Sequence, residues 1–88
     1  MTDRASIRAT LIQFLREDTA ATLDDNLDDS KGLRDELGLD SVDFVGVIMR
    51  IEGHYRIRLS REELDKVATI GDVLTLVQSK IHAKPLAA

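Results

Sequence analysis

The sequence predicts a small all-α protein: a four-helix bundle of three longer helices and one short one, with a long loop after the first. Three observations carry this. Apolar residues recur at helical spacing in three separate stretches. Cap-forming residues stand just ahead of those stretches and of a short fourth one. No strand pattern competes, because the one alternating run, Tyr55 to Leu59, is too short to make a sheet alone. The 88 residues suit a single small domain, and an aromatic content of 3% (Phe14, Phe44, Tyr55) leaves the core to Leu, Ile, Val and Ala.

The first helix is expected over about Arg4 to Glu17. Ile7, Leu11, Phe14 and Leu15 fall at i, i+4, i+7 and i+8, with Thr2 or Asp3 as the cap. From about Asp18 to Leu39 the chain reads as an Asp-rich loop. Leu23, Leu27, Leu33, Leu37 and Leu39 anchor it to the core, and a short helical turn around Leu33 to Leu37 ends at Gly38. The second helix runs from Ser41 to Tyr55, with Asp40 at the N-cap and Asp43 in the first turn. Val42, Val45, Ile48, Met49 and Glu52 trace one face, while Phe44, Ile48, Ile51 and Tyr55 trace its neighbour. It is the most apolar helix and is read as the central one. Ser60 and Glu63 form an S-x-x-E capping box that opens a short helix to about Val67. Thr69-Ile70-Gly71-Asp72 repeats the device and opens a last helix to about Ile81, with Ile70, Val73, Leu74, Val77 and Ile81 on its apolar face. Residues 1–82 form one domain by this reading, and 83–88, with Pro85, form a frayed tail.

Composition excludes several functions. There is no cysteine, so disulfides, thiolate zinc sites and a cysteine nucleophile are out. The net charge of −4 argues against nucleic acid, which is bound through Lys and Arg. No run approaches the ~18 apolar residues of a membrane span, and no secretory leader is visible, so no membrane insertion and a cytoplasmic monomer are expected. The two histidines, His54 and His82, sit near helix ends, and so small a helical chain leaves little room for a substrate pocket, so no enzyme is expected. The segment from Asp24 to Asp35 invites a calcium reading. Its sixth position is Asp29 where an EF-hand loop needs Gly, and its twelfth is Asp35 where a bidentate Glu is needed. No dedicated metal site is expected. Charge is uneven: Glu17 to Asp43 carries ten acids against two bases, and Phe44 to Arg61 carries one acid against four arginines. The boundary near Asp43 is a candidate for meeting a partner's charged patch.

The informative stretch is Leu37-Gly38-Leu39-Asp40-Ser41-Val42-Asp43-Phe44-Val45. Ser41 opens a helix, where free backbone N–H groups and the dipole favour an attached anion such as a phosphate diester. Asp40 and Asp43 flank it, giving a carboxylate-lined approach suited to a metal-dependent transferase. Gly38 permits the sharp turn that sets Ser41 at a corner. On the dipeptide alone, an ordinary first-turn serine with Asp40 as its cap accounts for the pattern.

The wider pattern resembles the acyl carrier proteins and related peptidyl carrier domains. Their D-S-L motif after an L-G-x turn reads here Leu37-Gly38-Leu39-Asp40-Ser41-Val42, with Val42 in place of Leu. The likeness extends over nearly the whole chain, through the short helix after Leu59-Ser60 to Ala68-Thr69-Ile70-Gly71-Asp72-Val73. It implies a non-catalytic carrier domain with a covalent 4′-phosphopantetheine arm on Ser41, added from coenzyme A by a phosphopantetheinyl transferase that recognises the flanking Asp40. It implies acyl groups held as thioesters on the arm's thiol, and partners among ligases that activate acyl or aminoacyl groups, synthases and acyltransferases. The chain departs from the common fatty-acid carrier on its second helix, where that family carries an acidic stripe. Here the stripe is Asp43, Gly46 and Arg50. Asp43, Phe44, Gly46, Val47 and Arg50 are the candidate partner-facing residues. The departure points from housekeeping fatty acid biosynthesis to a specialised lipid, polyketide or related pathway. An aminoacyl or peptidyl carrier, and a small helical adaptor without a prosthetic group, remain as alternatives.

Overall fold

The computed structural model describes residues 3–19 and 28–83. Four helices follow in order: α1 (Arg4–Asp18), α2 (Ser41–Tyr55), α3 (Arg61–Asp65) and α4 (Ile70–Ala83). Each starts where its cap directs. The Asp3 carboxylate accepts from the Ser6 amide, and that of Asp40 accepts from the Asp43 amide at 2.8 Å. Ser60 and Glu63 bond each other's backbone amides, the full capping box. Thr69 Oγ1 accepts from the Asp72 amide while Asp72 Oδ2 accepts from the Ala68 and Thr69 amides, which holds the Asp72 carboxyl below its ordinary pKa.

Two boundaries differ from expectation. α3 stops at Asp65, short of Val67, because the Lys66 and Val67 amides turn back to Glu63 and Leu64 in tighter three-residue bonds. α4 continues two residues past Ile81, so Ala83 is helical. Residues 84–88, with Pro85, lie outside the described residues, as do Thr2, Leu23 and Leu27.

α2 ends in a Schellman arrangement. The Ile57 amide reaches back to the Glu52 carbonyl at 3.1 Å, and Arg56 takes the left-handed conformation at φ 56° that the motif usually gives to glycine. Glu52 Oε2 then accepts from the Leu59 amide, fixing the connector that turns Ile57 and Leu59 inward.

The loop is held mainly by backbone. The Leu33 amide bonds the Ala68 carbonyl, and the Ile70 and Gly71 amides bond the Lys31 and Asp29 carbonyls, so 29–33 lies against 68–71 as one isolated antiparallel bridge. Among the described residues there is no strand. Gly71 lets the two segments touch: a Cβ there would sit 2.9 Å from Asp29 Cβ. Asp29 reinforces the junction, pairing with Arg4 at 2.8 Å and with Arg8, while Arg4 also reaches Thr75 Oγ1 and the Gly71 carbonyl. The acids of this stretch therefore do not simply repel, as their clustering suggests: Asp29 is ion-paired, and the Asp28 carboxyl is pulled below its ordinary pKa by the Ser30 hydroxyl it accepts from. Asp24 and Asp25 lie outside the described residues.

The core is aliphatic, as expected. Ile7, Leu11 and Leu15 of α1, Ile51 of α2, and Ile70, Leu74 and Val77 of α4 are fully buried, with α1 packed on both α2 and α4. Leu33, Leu37 and Leu39 anchor the loop. Of the two apolar faces read on α2, the structure buries one. The buried face is Phe44, Val47, Ile48 and Ile51, whereas Val42 (80% exposed), Val45 and Met49 face solvent. A helix apolar almost all round does not declare its inner face, and here the buried row is the one turned toward α1 and the connector.

Candidate functional site

Three local devices set Ser41 at a corner. The turn over 33–36 closes with the Leu37 amide on the Gly32 carbonyl and the Leu39 amide on that of Leu33. Gly38 follows at φ +72°, a conformation that costs a residue with a Cβ about 1–2 kcal/mol. Buried Leu37 and Leu39 straddle it, so the chain leaves the core at Asp40 with both Asp40 and Ser41 exposed. Asp40 then caps α2, and the chain turns into helix at Ser41.

The Ser41 hydroxyl makes no hydrogen bond among the described residues. Two of the other serine hydroxyls are in use: Ser30 Oγ donates to Asp28 at 2.6 Å, and Ser60 Oγ accepts from the Glu63 amide. An exposed, unengaged hydroxyl on the first turn of a 15-residue helix fits a covalently attached phosphodiester, since it has no bond to surrender and the helix start favours negative charge. The Ser41 oxygen would carry such a group covalently, with the carboxylates of Asp40 and half-buried Asp43 flanking it. Once attached, it would supply a thiol that the cysteine-free chain lacks.

A groove of about 450 Å³ opens beside Ser41, with Phe44, Val45, Leu59 and Leu64 as its apolar lining and Arg34, Arg61 and Asp65 as its charged one. A second hollow of about 360 Å³ shares Arg34, Phe44, Leu64 and Asp65 with it. The Arg34 guanidinium lies 5.8 Å above the Phe44 ring centre.

The expected partner-facing set does not share one surface. Gly46 is exposed, with open space where a Cβ would be, and Asp43 is partly so. Phe44 and Val47 are corrected to core residues, 8% and 3% exposed, because their side of α2 packs inward. Arg50 is half-exposed but engaged: it pairs with Glu17 and Asp18, each at 2.8 Å, and stacks 4.2 Å above the Phe14 ring centre. It ties α2 to the end of α1, about 13 Å along the helix from Ser41. What reaches solvent beside Asp43 is an apolar and small stripe, Val42, Val45, Gly46 and Met49. Sequence reasoning missed Arg34 and Arg61 at the groove. They figure there only as charges in a count, since nothing in the order of residues says that the loop and α3 meet beside Ser41.

Residues 5–77 match the family described as the phosphopantetheine attachment site. The chain belongs to the acyl carrier protein family. Among solved structures, the acyl carrier protein of Thermotoga maritima is 25% identical and superposes with a TM-score of 0.80 over 90% of this chain and 91% of its own. A protein of Mycobacterium tuberculosis assigned as an acyl carrier protein is 30% identical, with a TM-score of 0.65 over 86% of this chain and 95% of its own. Membership makes the domain a non-catalytic carrier that bears 4′-phosphopantetheine covalently, which removes the alternative of an adaptor without a prosthetic group. Carriers of this family engage phosphopantetheinyl transferases and acyl-handling enzymes. Among the described residues, no helix is long and apolar enough to cross a membrane, and no group of His, Asp and Glu forms a metal site.

Proposed function

We propose that Ser41 is the attachment point of the phosphopantetheine arm, and that the protein carries acyl groups as thioesters for a specialised lipid, polyketide or related pathway. The observation that carries the first part is the exposed Ser41 hydroxyl, free of hydrogen bonds at the start of α2 and capped by Asp40. The carrier works by tethering, which raises the effective concentration of its cargo at successive enzymes. Incubation with coenzyme A and a broad-specificity transferase is expected to add one phosphopantetheine by intact mass. Ser41→Ala should abolish the gain, and a modified Ser41→Ala protein refutes the assignment. Asp40→Asn should keep the cap yet slow the modification, if the transferase reads the carboxylate.

The pathway reading rests on the outer surface of α2. Beyond Asp43 that surface offers Val42, Val45, Gly46 and Met49, and its one cation, Arg50, is neutralised by Glu17 and Asp18. An enzyme that docks through Lys and Arg finds few carboxylates here, and rim charges of this kind chiefly set association rate and exclude wrong partners. The loaded protein is expected to be a poor substrate for general fatty-acid synthesis enzymes. Gly46→Glu should improve it several-fold at low salt and less at high salt. Wild-type rates equal to those of a housekeeping carrier would overturn the specialised reading and leave the attachment site intact.

A further inference from the structure

We infer that Arg34 and Arg61 form an anion clamp for the phosphodiester at the root of the arm; this rests on Ser41 as the attachment point. Arg4, Arg8 and Arg50 are each ion-paired to a carboxylate. Of the eight arginines, Arg16, Arg34, Arg56, Arg58 and Arg61 have no ion pair among the described residues, and of these five Arg34 and Arg61 line the groove beside Ser41. They enter it from two different elements, the turn before α2 and the first position of α3. A phosphodiester on Ser41 would place a permanent negative charge at that lining. Guanidiniums suit it better than ammoniums, since their planar fork can meet two phosphate oxygens at once. Asp65 also lines the groove, so the bare site is not uniformly positive, and a singly charged diester matches its net surplus of one cation. The lining continues into apolar Phe44, Leu59 and Leu64, which suits the uncharged length of an arm or its cargo. The cation over the Phe44 ring is already oriented at the groove floor. The root of the arm is therefore gripped by charge from two separate elements of its own carrier.

The test uses the phosphopantetheinylated protein and reads the phosphorus directly. Intact mass first establishes that Ser41 is loaded; a chain that is never loaded there overturns the attachment reading and the clamp together. In the loaded wild type, the ³¹P line should be broad and the backbone amide shifts of Leu59 to Asp65 should differ from those of the unloaded protein. High salt should narrow the line several-fold by screening the pair. Arg34→Gln with Arg61→Gln should give the same narrowing at low salt and return the amide shifts to unloaded values. The double Lys variant should recover part of the effect, because it keeps charge and loses the fork. Both arginines are exposed, and the amide spectrum of each unloaded variant reports whether it folds; the salt titration of wild type needs no variant. A wild-type line already as narrow as a free phosphodiester, or one indifferent to both salt and the Gln substitutions, would overturn the clamp while leaving the loaded Ser41 in place.

Discussion

Gly71→Ala and Gly46→Ala are the same chemical change with opposite expected signs. Both glycines are helical, and Ala is the better helix former by at most about 1 kcal/mol. At Gly46 nothing lies within 4 Å of the added methyl, so that gain is realised nearly in full. At Gly71 the methyl would sit 2.9 Å from Asp29 Cβ and 3.1 Å from the Asp29 carbonyl oxygen. Neither atom is the far end of a flexible side chain, and the Gly71 amide is itself bonded to that carbonyl at 2.9 Å, so relief means separating 28–31 from α4. Forcing atoms into a closed contact costs about 1–3 kcal/mol, and weakening the bond adds about 1 kcal/mol. After the helix gain is offset, Gly71→Ala should destabilise by about 1–3 kcal/mol. In a domain of this size each kcal/mol moves Tm by about 4–8 °C. Thermal unfolding should therefore place Gly71→Ala roughly 4–24 °C below wild type, and Gly46→Ala about 2–8 °C above it. A Gly71→Ala protein as stable as wild type would refute the claim that the loop and α4 are locked in contact at this point.

Arg56→Gly should stabilise by about 0.5–1 kcal/mol, since glycine adopts the left-handed C-cap without a Cβ penalty that outweighs its extra chain entropy; urea midpoints measure it, and a fall in stability would refute it. Asp40→Ala should cost about 1 kcal/mol through loss of the bond to the Asp43 amide, read as a drop in Tm, whereas Asp40→Asn should cost only a few tenths, because both cap well. The Glu63 carboxyl is held at about 2, against an ordinary 4.5, first by Lys80 at 2.7 Å and then by the Ser60 amide. Its folded pKa is depressed, so its contribution is complete above 4.5 and disappears as pH falls through about 2. Tm followed over that window should fall less steeply in Glu63→Gln than in wild type, and identical slopes would count against the pairing.

Four caps were legible because the signal is local: Asp3, Asp40, Ser60 and Thr69 each act on amides within three residues, and the helix starts follow from them. The place of Ser41 at the start of α2 was legible for the same reason, as the residue after a cap, whereas reading it as an attachment point drew on the resemblance of the whole chain. What reaches across the chain was not. The ion pair of Arg50 with Asp18 spans 32 positions, and that of Arg4 with Asp29 spans 25. Neither partner differs in type from the unpaired charges around it. The inner face of α2 was left open between two rows, because Val42, Val45 and Met49 satisfy helical spacing as well as Phe44 and Ile51 do. Only the packing of α1 decides between the rows. Arg56 shows the limit from the other side: an arginine in the left-handed region announces nothing, while Gly38 in the same region could be foreseen.

α3 stands apart from the other helices in one respect: none of its five residues is buried. Its capping box, the Lys80 ion pair and half-buried Leu64 hold it in place. Such a segment can open alone, at a free energy well below that of global unfolding. Amides of 61–65 should then exchange with solvent through small, denaturant-insensitive openings, while those of Ile70 to Val77 wait for the whole molecule to come apart. Because α3 forms one wall of the space beside Ser41, each such opening would widen that space, and molecules of unequal girth would then meet the same wall at different openings.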